Sequence, residues 1–280
     1  MALTFVGCLD EGDDGCPNDM TLIFKLEDTH VGGDFDSRIG NDVLLYVFRD
    51  GKCIDSQTIP YEEIRDGKYT FRKPDGMEGN LSLLAWSVSD SGDAAALPNW
   101  AVSDALDDLY IELPSASSPM HCEMYNGSTE PFKEAIDQES SHTISMIHTA
   151  CRVEVNVKAN SAVITTDNPN VTITGSMTRM DMSLAGTGNA AVVKTSLLPD
   201  SGVGEYATGR FGILPSSAGQ TIAVNIYDDN EPLATLKVPR DNLPRGAEAG
   251  DLMIFDYQLG DTEFWLTVNG FRQKIVMIDM

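Results

Sequence analysis

The side chains in this sequence that could do covalent or metal chemistry are five cysteines, four histidines and a large pool of carboxylates. Cys8, Cys16, Cys53, Cys122 and Cys151 form no Cys-x-x-Cys pair, and their spacing fits no zinc site. His142 and His148 are six residues apart, so on a strand they share a face and a metal pair is conceivable; a solvated or hydrogen-bonded strand histidine is the other reading. His30 and His121 complete the set, and His121-Cys122 sets an imidazole beside a thiol with no legible Asn or Asp to support it. Glu62-Glu63, Asp107-Asp108 and Asp228-Asp229 are acid pairs of the kind a glycosidase needs, but with 43 acids in the chain such pairs also mark turns and exposed ends. The acids at 10, 11, 13 and 14 offer hard oxygen ligands for calcium without the EF-hand register. No Gly-x-Ser-x-Gly elbow, P-loop or His-Glu-x-x-His helix is present, and Gly202-Val203-Gly204 lacks the spacing and helical context of a dinucleotide loop. The expectation is a protein without catalytic residues, metal site or cofactor.

The elements that would carry any site are strands. Thr21–Leu26, Asp42–Phe48, Leu81–Val88, His142–Ile147, Arg152–Val157, Asn170–Thr174, Thr221–Tyr227 and Leu233–Val238 read as strands, followed by two runs near the end. Several alternate with period two: Val153, Val155 and Val157 share one face, while Arg152, Glu154 and Asn156 share the other. Arg49-Asp50-Gly51-Lys52 between apolar runs predicts a hairpin, because a type I′ turn needs positive φ at both central residues. Arg65-Asp66-Gly67-Lys68, Pro74-Asp75-Gly76 and Tyr227-Asp228-Asp229-Asn230 read as further turns. Only Pro60–Ile64 and 99–108 suggest short helices. Trp86 and Trp265 read as core residues in strands, and Trp100 as a loop residue free to stack on a sugar or a partner.

The length of 280 residues fits two domains, and no run approaches the length of a transmembrane helix. The net charge of −24 argues against nucleic acid as a partner, since a nucleic-acid binder needs a basic footprint. The charge is uneven: residues 1–154 hold 29 of the 43 acids and 10 of the 19 bases. A well-solvated surface explains this, as does an acidic N-terminal part facing the medium away from anionic lipopolysaccharide.

Phe5-Val6-Gly7-Cys8 resembles the end of a bacterial lipobox, in which the cysteine is diacylated and becomes the mature N-terminus; the charged and apolar regions that precede such a site are short or missing. Leu9-Asp10-Glu11-Gly12-Asp13-Asp14-Gly15 is acidic, Gly-rich and ill suited to packing, so it reads as a tether. The other reading is an unstructured leader with an incidental cysteine.

Several segments, in order along nearly the whole chain, resemble the FimB-type fimbrial anchor and fimbrillin-like lipoprotein family of Bacteroidetes. They are Cys8…Cys16-Pro17, the hairpin Val43–Lys52, Gly79–Trp86 ending in Ala-Trp, Met124-Tyr125-Asn126-Gly127 and His142–Met146. Cys151–Val157 and the closing Phe264–Phe271 complete the series. The pattern departs at Ser87, where the family carries Gly, and at Cys151-Arg152 after His148-Thr149-Ala150. The resemblance implies an all-β chain of two transthyretin-like Greek-key β-sandwich domains in tandem: a leader and tether at 1–19, then 20–150 and 151–280. It implies lipid attachment at Cys8, a surface-exposed place in the outer membrane and fimbrium, and shaft or accessory pilin subunits as partners. Such fimbriae assemble by β-strand exchange, in which an unsatisfied sheet edge gains main-chain hydrogen bonds. The ending Ile275–Met280 fits a base or cap subunit, and is either the exchanged strand itself or an internal edge strand. A surface glycan-binding β-sandwich lipoprotein is the alternative, and a hydrolase finds no supporting residues.

Overall fold

The computed structural model describes residues 19–27, 42–64, 66–73, 79–89, 104–113, 115–121, 123–134, 139–159, 164–238 and 246–277, which form twenty strands in three sheets. The expected lipid site Cys8, the tether, Cys16, His30, the turn at 74–76, Trp100 and Cys122 lie outside the described residues. The chain is all-β, as its alternating sequence predicts. No helix among the described residues is long and apolar enough to cross a membrane.

The first sheet contains β1 (Asp19–Leu26), β2 (Val43–Arg49), β3 (Lys52–Ile59), β4 (Lys68–Arg72), β5 (Gly79–Ser89), β7 (Glu123–Ser128), β8 (Phe132–Glu134) and β9 (Ser140–His148). Its order is β3-β2-β5-β7-β9-β1-β4, with β8 also paired to β5. The β1–β9 pair is parallel and the others are antiparallel. The β2–β3 hairpin closes through Asp50 (φ 50°) and Gly51 (φ 76°), the two positive values of a type I′ turn. Asp66-Gly67 also turns with positive φ but leads into β4 without joining neighbouring strands. There a Cβ on Gly67 would lie 2.9 Å from the Phe24 carbonyl oxygen. A 3-10 turn at Tyr61–Glu63 follows Pro60, as expected. Of the second expected helix only 104–108 lie within the described residues, and they hold a 3-10 turn, Leu106–Asp108, beside the start of β3: Cys53 N–H donates to Asp104 O at 2.9 Å, and Leu106 N–H to Gly51 O at 2.8 Å.

The second sheet contains β10 (Cys151–Lys158), β13 (Leu198–Pro199), β14 (Glu205–Ala207), β15 (Phe211–Ile213), β18 (Leu252–Gln258), β19 (Glu263–Val268) and β20 (Phe271–Val276), in the order β13-β14-β10-β18-β19-β20 with β15 also on β10. The third contains β11 (Pro169–Asp181), β12 (Gly186–Ser196), β16 (Ala223–Asp228) and β17 (Glu231–Lys237), in the order β12-β11-β16-β17. A strand from the first half of the chain, β6 (Tyr110–Glu112), pairs with β11 and so joins this third sheet.

Three apolar clusters follow from the alternation. One lies inside the first sheet, which folds over itself: Leu22 and Phe24 of β1, Leu45 and Val47 of β2, Phe71 of β4, Leu83 of β5 and Ile144 of β9 meet there. A second fills the sandwich of the other two sheets, with Val153, Val155 and Val157 facing Val171, Ile173, Val224 and Ile226. The third uses the opposite face of the first sheet. Phe48, Leu84, Trp86 and Val88 pack against Leu109, Ile111, Leu113 and Met120, and against Met180 and Leu214 from the second half. Each fully buried large apolar side chain contributes about 1.5–3 kcal/mol, so this joint holds the halves together by the same physics as a domain core.

Asp228, buried at the end of β16, fastens the segment before β11. Its Oδ2 accepts from the backbone N–H and hydroxyl of Thr165 at 2.8 and 2.9 Å, and its Oδ1 from those of Thr166. These bonds, the Thr166 hydroxyl foremost, lower its carboxyl from an ordinary 3.8 to about 2.

Two outcomes are expected. Leu214→Ala destabilises the chain by about 2–5 kcal/mol and speeds amide exchange in β5, across the joint in the first sheet; denaturant melts and exchange mass spectrometry measure both. The contribution of Asp228 is fully present above the unfolded carboxylate range near pH 4 and is lost as pH falls through about 2. The stability difference between wild type and Asp228→Asn therefore narrows across that window, as urea melts at stepped pH measure.

Candidate assembly interface

In a chain built of sheets, the groups available to another polypeptide are the N–H and C=O rows of edge strands and the side chains on outer faces. The segment 104–121 closes several edges from within. It bridges to the start of β3 through Lys52 and Ala105, adds β6 to β11, and then runs along β12. There Val192 N–H donates to Ala116 O at 2.9 Å and Lys194 N–H to Ser117 O at 3.0 Å. It ends at β15, where Met120 and Gly212 exchange bonds of 3.0 and 2.6 Å. Arg179 fixes its middle, with two bonds to the Glu112 carboxylate at 3.0 and 3.2 Å and its guanidinium 4.3 Å from the Tyr110 ring centroid.

Strand β20 differs. It pairs with β19 along one side, through a hairpin whose turn, Asn269 (φ 52°) and Gly270 (φ 82°), is again type I′. Its other side carries no backbone partner among the described residues. Ile275 points into the core, whereas Phe271 and Val276 are 71% and 59% exposed. The described part of the ending is thus a paired edge strand, and residues 278–280 lie outside the described residues. Arg272 and Lys274 place cations on this strand, and Pro232 sits in β17; both are devices that discourage indiscriminate edge pairing.

The outer face of β10, β18, β19 and β20 is a polar lattice. Glu154 pairs with Arg210 and accepts from Asn156, and Asn156 also donates to Asp256 at 3.0 Å. Arg272 donates to Asp256 at 3.3 Å, and its guanidinium lies 4.7 Å from the Trp265 ring centroid. Lys274 pairs with Glu263. Trp265 is therefore not a core residue as expected, but 39% exposed on this face. Phe264 and Leu266 take the inward positions of β19, and period two sends the residue between them outward. Trp86, by contrast, is fully buried, as expected.

Among the described residues weighed for covalent and metal chemistry, Cys53, Cys151 and His148 are buried, His142 is half-buried and His121 is exposed. Cys53 and Cys151 are free, buried thiols. Burial, with the Asp251 charge second, raises the Cys151 thiol well above its ordinary range, and burial likewise raises Cys53, so both stay protonated at neutral pH. His148 is 3% exposed, its Nδ1 bonded to Ala150 O at 2.9 Å and its ring edge-on to Tyr125. His142 stacks on Phe132 at 3.7 Å between centroids. The two share a face of β9, with Ile144 and Met146 of the core between them. No group of three potential metal ligands occurs among the described residues. The features that sequence reasoning missed, Trp265 and the strap at 104–121, carried one signal: the parity of Phe264 and Leu266.

The family model for the fimbrillin-A associated anchor proteins Mfa1 and Mfa2 matches residues 13–271. No curated protein matches the chain. Among solved structures, the fimbrial anchor protein Mfa2 from Porphyromonas gingivalis is similar at a TM-score of 0.63 and 10% identity, covering 91% of this chain and 98% of that one. A candidate polysaccharide-binding protein from Bacteroides thetaiotaomicron gives 0.63 and 14%, covering 92% and 98%. A candidate adhesin from the same species gives 0.62 and 16%, covering 95% and 99%. At such identities the structural likeness shows the fold, whereas the family model spans most of the chain. The chain thus belongs to the family of fimbrillin-A associated anchor proteins.

Proposed function

We propose that this protein is an anchor or accessory subunit that fastens a fimbrial shaft to the outer membrane, with a diacylated Cys8 as its membrane attachment. The family match over residues 13–271 carries the reading. The acidic run 9–15 then serves as the tether, and 20–150 and 151–280 are two transthyretin-like Greek-key sandwiches in tandem, locked together by the cluster around Trp86 and Leu214. Shaft or accessory pilin subunits bind by β-strand exchange. The outer side of β20 is the edge offered to them: it carries no backbone partner among the described residues, whereas the strap at 104–121 covers β12 and the start of β3. An incoming strand there gains main-chain hydrogen bonds, and Phe271 and Val276 give it apolar side chains to cover.

Two measurements test this. In cells fed an alkyne-tagged fatty acid, the full-length protein takes up label and fractionates with the outer membrane, and Cys8→Ser abolishes both; unlabelled wild-type protein removes the lipid attachment. On mixing with the shaft subunit, amides of 271–276 gain protection from hydrogen exchange, whereas protection confined to another strand moves the exchange site there.

A further inference from the structure

We propose that the outer face of the seven-stranded sheet carries a saccharide-binding cleft for neutral pyranose chains, with Trp265 as its aromatic wall. The face holds a depression of about 370 Å³ that opens beside the β18–β19 turn, with Trp265, Asn156, Asp256, Gln258, Glu263 and Arg272 among its walls. That volume lies at the small end of ligand sites, which run from about 300 to 1,000 Å³, and suits one or two sugar rings.

The chemistry of the walls selects the ligand. A pyranose presents adjacent hydroxyls that both donate and accept, and apolar C–H faces. Asn, Asp, Gln, Glu and Arg are planar side chains that match paired hydroxyls, and the part of the Trp265 indole left exposed beside Arg272 and Lys274 offers an apolar surface with a polar edge. The walls are also held in place before any ligand arrives. Asn156 spends its amide N–H groups on Glu154 and Asp256, which turns its carbonyl oxygen into a remaining acceptor. Asp256 takes one bond on each oxygen, from Asn156 and from Arg272, and a carboxylate has about four acceptor sites. Arg272 bridges Asp256 and the indole, so its remaining N–H donors sit in a fixed fork. Holding these side chains in the free protein removes part of their ordering cost from binding.

Charge narrows the class. The walls carry Lys158 and Arg272 against Asp256, Asp261 and Glu263, and Lys274, just outside them, pairs with Glu263 and stands over the Trp265 ring, so the site is close to local balance within a strongly acidic chain. A phosphate, sulfate or uronate would meet three carboxylates, and a cation three basic groups; an uncharged polyol meets neither penalty. The cleft lies on a sheet face and the proposed strand exchange uses a sheet edge, so the two stand or fall separately.

The purified chain is titrated with cellohexaose, maltohexaose, mannohexaose and xylohexaose, with oligogalacturonate as the acidic arm, by calorimetry and tryptophan fluorescence. Saturable binding of at least one neutral oligosaccharide is expected at about 1 mM or tighter. Trp265→Ala and, independently, Gln258→Ala should weaken it by about tenfold and about threefold or more, with melting temperature and shaft-subunit capture unchanged. Four results overturn the proposal: no neutral oligosaccharide bound by about 10 mM, binding of the uronate alone, affinity untouched by Trp265→Ala, or a Trp265→Ala variant that loses shaft-subunit capture while wild type binds no sugar. The last would assign the face to subunit docking.

Discussion

Strand β5 has no face left for water, and the rest of the molecule is arranged around that fact. Leu81, Leu83 and Ala85 point into the core enclosed by the first sheet, while Leu84, Trp86 and Val88 point the opposite way. A strand of an antiparallel sheet commonly buries one side and wets the other. When both sides are apolar, a second layer must cover the outer one. Here that layer is supplied partly by the strap, through Leu109, Ile111, Leu113 and Met120, and partly by Met180 and Leu214 of the following sandwich. The apolar joint ties the first sheet to the sandwich that follows it through a continuous packed layer.

The strap settles a second constraint, which is polar. Covering β5 with chain brings backbone N–H and C=O groups into a half-buried layer, where each must find a partner or cost free energy. The strap meets this by lending its groups to β3, β11, β12 and β15 in turn. One excursion thereby covers the outer face of β5 and takes up several sheet edges. A strand added at those edges would first have to break bonds the chain already makes to itself.

Local chemistry made much of this legible in the sequence. Asp50-Gly51 fixes one hairpin by its positive φ values, and Val153, Val155 and Val157 give both the existence and the facing of β10. What stayed hidden is non-local. Nothing near Ser140–His148 says that it lies parallel to Asp19–Leu26, and nothing near Tyr110–Glu112 says that it joins a sheet formed mainly by residues after 168. Parallel and crossover pairings are decided by which edges remain after the hairpins close, information that no window of ten residues holds. Trp265 misled for a related reason. A run of Phe-Trp-Leu looks uniformly apolar, and only its parity against the flanking strands tells which two residues go inside. The histidines were more legible: His142 and His148 share a face of β9, His148 is hydrogen-bonded there, and the residues between them belong to the core, so that apolar face is a poor place to hold a metal ion.

The acidic excess bears on how such a chain can hold others. With 29 of 43 acids before residue 155, two like subunits approaching through side-chain charge would repel, although beyond about 8 Å physiological salt screens most of that. Contacts through a strand edge are insensitive to this, because the attractive groups are amide dipoles that every subunit carries whatever its side chains. The partition of charge also leaves the second half closer to balance, and there the lattice of Glu154, Asn156, Asp256, Glu263, Arg272 and Lys274 can hold opposite charges in register across four strands. Paired surface charges of this kind add little to stability, about 0–1 kcal/mol each. Their effect is geometric: they fix the directions in which hydrogen-bonding atoms point, so that a weakly stabilised surface is still an ordered one.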